Sequence, residues 1–186
     1  DKVDKTLMTE EHSCRSNSLI KLNKCIVYNN EIMKYMPPRL NSGKYIHEVK
    51  DSSDEMLVLI SENSRGLGVG DKFDLRFGTR TGEDINVTAR IVGVISNGQK
   101  LFMGTGRITS SMGYEDLYCT YSYEQLEEPL IITTPEQIKK LGEEIYKPFR
   151  LSCIVKFNDD ITEQERNANV EVVKAFEEGI HGMDSI

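Results

Sequence analysis

The stretch from Met56 to Val94 constrains this chain more than any other part of it. It opens with an apolar strand, Met56-Leu57-Val58-Leu59-Ile60-Ser61, followed by a glycine cluster, Gly66-Leu67-Gly68-Val69-Gly70-Asp71. Glycines behind a strand suggest a phosphate-cradling loop. Such a loop needs a helix start directly behind it, because the free N–H groups and dipole of that helix hold the phosphate. Here Lys72-Phe73-Asp74-Leu75-Arg76-Phe77 follows instead, alternating polar and apolar with period two. That is the pattern of a half-buried strand. The Gly-Lys-Ser/Thr of a Walker A loop is also missing. The glycines therefore turn the chain between strands.

Composition narrows the function classes. A chain of 186 residues can form one domain or two small lobes with a real core. A net charge of -7, with no Lys/Arg-rich run against it, argues against binding a nucleic-acid backbone. No apolar run approaches the roughly 18–20 residues of a membrane span. The chain begins Asp1-Lys2 without a signal-peptide apolar region, so an excised fragment or a processed mature chain is expected.

Cys14, Cys25, Cys119 and Cys153 lie far apart, and none forms a Cys-x-x-Cys pair. A zinc knuckle or a redox dithiol is not indicated. Two disulfides could form in an oxidising compartment, with all three connectivities open. Cys25 and Cys153 fall in apolar strand-like runs, where a free thiol packs as a small hydrophobe.

Residues 1–18 are polar and without a clean period, so a loose start, helical near Asp4 to Glu11, is expected. Leu22 to Tyr28 reads as a strand. Asn29-Asn30 opens a short helix, Glu31 to Tyr35, stopped by Pro37-Pro38. Asn41-Ser42-Gly43 reads as a turn. Ile85 to Ile95 is a long strand that loses alternation in its second half, as a strand covered on both faces does. Thr79 to Glu83 makes the hairpin before it. Ser96 to Ser122 reads as irregular or hairpin structure.

Two helices with capping boxes follow. Thr134-Pro135-Glu136-Gln137 puts Ile138, Leu141 and Ile145 on one face, and Thr162-Glu163-Gln164-Glu165 opens a helix with Ala168, Val172, Ala175 and Phe176 on a stripe ending near Gly179. Leu151 to Phe157 is a strand between them.

Candidate chemistry is sparse. His12, His47 and His181 have no ligand or nucleophile at usable spacing, and His47-Glu48 lacks the second histidine of the helical zinc motif. A Cys–His hydrolase would show a glycine-framed nucleophile, and none is present. Glu115-Asp116, Glu127-Glu128 and Asp159-Asp160 lack EF-hand spacing and read as solvated turns or helix starts. Asn86-Val87-Thr88 fits a glycosylation acceptor pattern but lies inside a strand. Tyr114, Tyr118, Tyr121 and Tyr123 form the best contact patch, although Tyr121 and Tyr123 at period two fit ordinary strand packing better. No residue is assigned a catalytic, cofactor-binding or metal role.

An ordered series of segments resembles the extracytoplasmic core domain of MacB/FtsX-type ABC transporter permeases. Cys25-Ile26-Val27-Tyr28 leads into Glu31-Ile32-Met33-Lys34-Tyr35-Met36. Arg39-Leu40-Asn41-Ser42-Gly43-Lys44-Tyr45-Ile46 is similar to the family's glycine–arginine–aromatic turn, with Lys44 in place of arginine. Leu57-Val58-Leu59-Ile60-Ser61, Gly68-Val69-Gly70-Asp71-Lys72-Phe73, Ala89-Arg90-Ile91-Val92-Gly93-Val94 and Pro129-Leu130-Ile131-Ile132 follow in order, and the match covers about residues 25–178.

The resemblance implies an α+β fold with a mixed α/β porter-like lobe, residues 1–35 and 130–186, and an inserted β-rich lobe, 36–129. It implies a non-enzymatic domain outside the bacterial cell membrane, without a cofactor. The parent permease would hold it between flanking membrane helices. A cytoplasmic ABC ATPase would be the partner through that permease, and an extracellular substrate or protein partner would receive the movement. A free secreted or surface-anchored binding module is the alternative.

Overall fold

A computed structural model describes residues 3–16, 24–50, 54–64, 66–79, 82–99, 101–102, 129–142, 150–158, 160, 162–165 and 167–168. In chain order the elements are β1 (Val3–Ser16), β2 (Lys24–Tyr28), α1 (Asn30–Tyr35), β3 (Leu40–Gly43), a 3-10 turn (Ile46–Glu48), β4 (Met56–Ser61), β5 (Lys72–Gly78), β6 (Asp84–Ile95), β7 (Ile131–Thr133), α2 (Pro135–Lys139) and β8 (Arg150–Phe157). Strands and helices together make an α+β chain. It divides into two compact units, Leu7–Cys153 on the one hand and Asp1–Thr6 with Ile154–Ile186 on the other.

In the larger unit the strands run in the order β2-β7-β4-β6-β5-β1, and β1 then pairs back onto β2. Among the described residues this is a closed hydrogen-bonded circuit of six strands. Closure removes the edges that an open sheet would leave unpaired. β1 makes it possible by pairing twice: Thr9 to Ser13 run antiparallel to β2, and Cys14 to Ser16 antiparallel to β5.

Register sends one side chain of every strand to the same face. Met56, Val58 and Ile60 of β4 stand opposite Ala89, Ile91 and Val94 of β6, with a bulge absorbing the extra residue. Phe73 and Phe77 of β5 meet Ala89 and Ile85, and Phe77 also faces Cys14 of β1. Cys25 of β2 lies opposite Ile131 of β7. Apart from the half-buried Ile85, these residues belong to one buried apolar cluster, so the inner face of the circuit is the core.

The outer face is covered only in part. Around β4 it is buried too: Leu57, Leu59, Ile132 and Ile26 have no exposed surface. α1 and α2 pack on β2, α2 also on β4, and the 3-10 turn on β4. β5 differs, because Lys72, Asp74 and Arg76 alternate outward into solvent while Phe73, Leu75 and Phe77 are buried. The long strand β6 passes from one regime to the other, alternating at its start and buried throughout Ile91 to Ile95.

Local signals set the element ends. Asn29 caps α1 by accepting from the Ile32 N–H at 3.1 Å. Thr79 closes the β5–β6 hairpin onto Glu83, with Gly82 in the left-handed region at φ 85°. Gly93 has no Cβ because a Cβ would stand 2.7 Å from the Lys44 carbonyl oxygen where β3 crosses β6.

Several expectations are corrected. The start of the chain is a strand, not a loose or helical segment: Val3–Ser16 extends because β2 and β5 supply its backbone partners, which its own side-chain pattern does not reveal. Asn41-Ser42-Gly43 is part of β3, paired to β6 through a bulge, with only its end, Gly43, at φ 85°.

The Thr134 capping box does not form. The Thr134 side chain makes no cap bond, and the Gln137 amide oxygen turns inward to accept from the Leu57 N–H at 2.8 Å. Ile138 and Leu141 do pack on the core, whereas Ile145 lies outside the described residues.

In the smaller unit, the described residues are 3–6, 154–158, 160, 162–165 and 167–168. Here the Thr162 box is complete. The Thr162 Oγ1 accepts from the Glu165 N–H at 3.3 Å, while the Glu165 carboxylate accepts from the Thr162 N–H at 3.0 Å. Ala168 is exposed rather than buried, and Val172, Ala175, Phe176 and Gly179 lie outside the described residues.

Candidate functional site

Three groups of residues could carry chemistry: the glycine turn, the histidine–cysteine seam and the charged outer row of β5. The glycine turn is already spoken for. The Gly68 N–H donates to the Asp71 carboxylate at 2.8 Å, and the Gly70 N–H donates to the Ile91 carbonyl at 2.8 Å. A phosphate would need those amides free. Asp71 therefore occupies, as an internal anion, the position from which a nucleotide would have to be held.

The β1–β2 seam gathers His12, Cys14 and Cys25. His12 and Cys25 are directly opposite across the strands, and Cys14 stands two residues further along the same face. All three are buried. A catalytic thiol needs its pKa lowered by a cation or helix start. The opposite holds here: burial pushes the Cys14 thiol up to about 12, and burial followed by the neighbouring Cys14 raises Cys25 well above its usual range. Both stay protonated and packed near neutral pH. His12 turns its Nε2 to the Glu10 carboxylate at 3.1 Å, away from any thiol bond. On the opposite face of β1, the buried Glu11 pairs with the Lys24 ammonium at 3.3 Å. The seam is a polar closure of the circuit, with inert thiols inside it.

The outer row of β5 brings like charges together across strands. Lys72 stands directly across from Arg90 of β6, a like-charge pair. Glu55 resolves it, its carboxylate taking the Lys72 ammonium on one oxygen and the Arg90 Nε at 3.0 Å on the other. The Lys72 hydrogen bond, with the two positive charges, holds Glu55 below the usual carboxylate range. Next along the row, Asp74 accepts from the Thr88 hydroxyl at 3.2 Å. Arg76 comes last, opposite Asn86 on one side and Arg15 of β1 on the other.

The remaining sequence candidates disperse. His47 is exposed and stacks on Tyr45 with ring centres 5.7 Å apart. Asn86 lies exposed in β6, and Asp160 is exposed. Cys119, His181, Glu115, Asp116, Glu127, Glu128, Asp159 and all four clustered tyrosines, Tyr114, Tyr118, Tyr121 and Tyr123, lie outside the described residues; Cys153 is described only as part of β8. Among the described residues no group of three or more His, Cys, Asp or Glu side chains could hold a metal ion, and no helix is long and apolar enough to cross a membrane. Sequence reasoning missed Glu55, Arg15, Arg76 and the buried Gln137. The alternation of Lys72, Asp74 and Arg76 was visible, but their cross-strand partners depend on register.

No family model matches the sequence. No curated protein matches it either. In fold it is similar to the periplasmic region of MacB from Actinobacillus actinomycetemcomitans, at 10% identity and a TM-score of 0.46, over 95% of this chain and 68% of that one. It is similar to a domain of a putative permease protein from Porphyromonas gingivalis, at 14% identity and a TM-score of 0.46, over 94% and 71%. The extracellular domain of the noncanonic ABC-type transporter YknZ from Gram-positive bacteria follows, at 10% identity and a TM-score of 0.44, over 86% and 68%.

Proposed function

We propose that this chain is a non-enzymatic extracytoplasmic domain of a bacterial MacB/FtsX-type permease, which carries movement from a cytoplasmic ATPase to a substrate or partner outside the cell membrane. One observation supports this reading above the others. Val3–Thr6 of β1 and Ile154–Phe157 of β8, far apart in sequence, belong to one compact unit. A domain inserted between two membrane helices would be served by a unit that joins two such distant segments.

Two features of the larger unit agree with a relay rather than a catalyst. The glycine amides are bound to Asp71 and Ile91, which leaves ATP hydrolysis to another subunit or domain. The buried thiols are held protonated.

The test uses the parent transporter with its ATPase in lipid nanodiscs. Spin labels at Glu83→Cys and Asp160→Cys report one unit each. Their separation should shift between the nucleotide-free and ATP-bound states, and a membrane-impermeant maleimide should reach Glu83→Cys in intact cells. Unchanged separations in a transporter that still hydrolyses ATP, or a label that stays blocked until cells are broken, would overturn the proposal.

A further inference from the structure

Two like-charge pairs face each other across strands of the circuit, and only one is neutralised. Lys72 and Arg90 share the Glu55 carboxylate. Arg15 and Arg76 are register partners of the same kind, one on β1 and one on β5, both exposed on the outer face. Among the described residues no carboxylate pairs with either. On that face Asp74 is engaged by Thr88, Arg76 meets the neutral Asn86 across the strands, and Asp84 lies one diagonal step further, opposite Gly78. Directly opposed like charges destabilise a sheet. In a chain of net charge -7, two arginines occupy directly opposite register positions.

We infer that Arg15 and Arg76 form a carboxylate-binding site, filled by an acidic segment of a protein partner. The chemistry follows from the neighbouring pair. One carboxylate with an oxygen for each cation is how the chain itself settles Lys72 against Arg90. Two guanidiniums across a strand pair offer planar, charge-assisted donors to the two oxygens of one carboxylate. The site requires no catalytic group and no permease. It stands on the charges alone, and its failure leaves the reading of the domain as a relay intact.

Isothermal titration of the 186-residue chain with a hexaglutamate peptide at low ionic strength tests the site. Binding should weaken about tenfold or more in the double variant R15Q/R76Q, the loss expected when a charge-assisted contact is removed. R15K/R76K, which keeps charge but loses the planar fork, should fall between the two. K139Q removes a distant exposed positive charge and should leave affinity within about twofold, since non-specific attraction is all it can contribute. Parallel titrations use inorganic phosphate and phosphatidylglycerol vesicles. Equal peptide affinity in the wild type and R15Q/R76Q, with R15Q/R76Q confirmed folded by circular dichroism, overturns the site. So does absence of peptide binding. Arginine-dependent binding that favours phosphate or vesicles over peptide overturns the choice of partner and assigns the pair to a phosphate group.

Discussion

β4 and β1 belong to the same closed circuit, yet they are held by different means. β4 is apolar from Met56 to Ile60 and buried on both faces along its whole length. β1 carries Thr9, Glu11 and His12 into buried positions, with the Lys24 ammonium beside the Glu11 carboxylate and the Glu10 carboxylate beside the His12 ring. The first is driven by area removed from water. The second forms only because neighbouring strands supply partners, since a buried charge without one is costly. A ring can therefore close through its least hydrophobic strand, provided each polar group meets its complement.

Leu59→Ala probes the apolar side and should show the largest effect. Leu59 has no exposed surface, and its removal should cost about 2–5 kcal/mol in chemical denaturation. A cost no larger than that of a surface substitution would mean that β4 does not carry the core.

The thiols of the seam offer a pH experiment. The folded Cys14 titrates near 12 against an ordinary value of 9.0, and Cys25 is shifted in the same direction. A raised folded pKa contributes stability that is complete below the unfolded value and is lost as pH rises. Stability should hold below pH 9 and decline from there toward pH 12, and Cys14→Ala/Cys25→Ala should flatten the decline. An unchanged slope in that double variant breaks the link between burial and titration.

Gln137→Ala sharpens the comparison where a polar group serves the apolar strand. It leaves the buried Leu57 N–H without its acceptor and should cost about 1–3 kcal/mol, more than any cap would. Thr162→Ala, in the smaller unit, removes the acceptor for the Glu165 N–H. The expected loss is about 0.5–2 kcal/mol in a thermal melt. Arg76→Thr should have the smallest effect and the opposite sign. Relief of the Arg15–Arg76 opposition should stabilise the sheet by about 0.2–1 kcal/mol, read as a rise in denaturation midpoint.

Much of the wall was legible from local pattern. The alternation from Lys72 to Phe77 predicts β5 because a period of two can bury only one face of a strand. The lost alternation after Ala89 predicts where β6 becomes covered on both sides, as observed from Ile91 to Ile95. Thr162 and Glu165 announce a helix start because the box is closed by residues three apart. Thr134 and Gln137 present the same letters, but the Leu57 N–H competes for Gln137 from across the fold and wins.

What the sequence by itself determined, then, is the set of segments whose fate depends on near neighbours: strands with a clear period, caps within one turn, and glycine turns lacking a helix behind them. Tertiary structure alone decided that β1 is a strand, that it closes the circuit, and which charges meet. Glu55 joins Lys72 and Arg90, and Arg15 confronts Arg76, through register between strands distant in the chain. Register is a property of the assembled sheet. No local periodicity carries it, because shifting one strand by two residues preserves every inward and outward side chain while changing every partner.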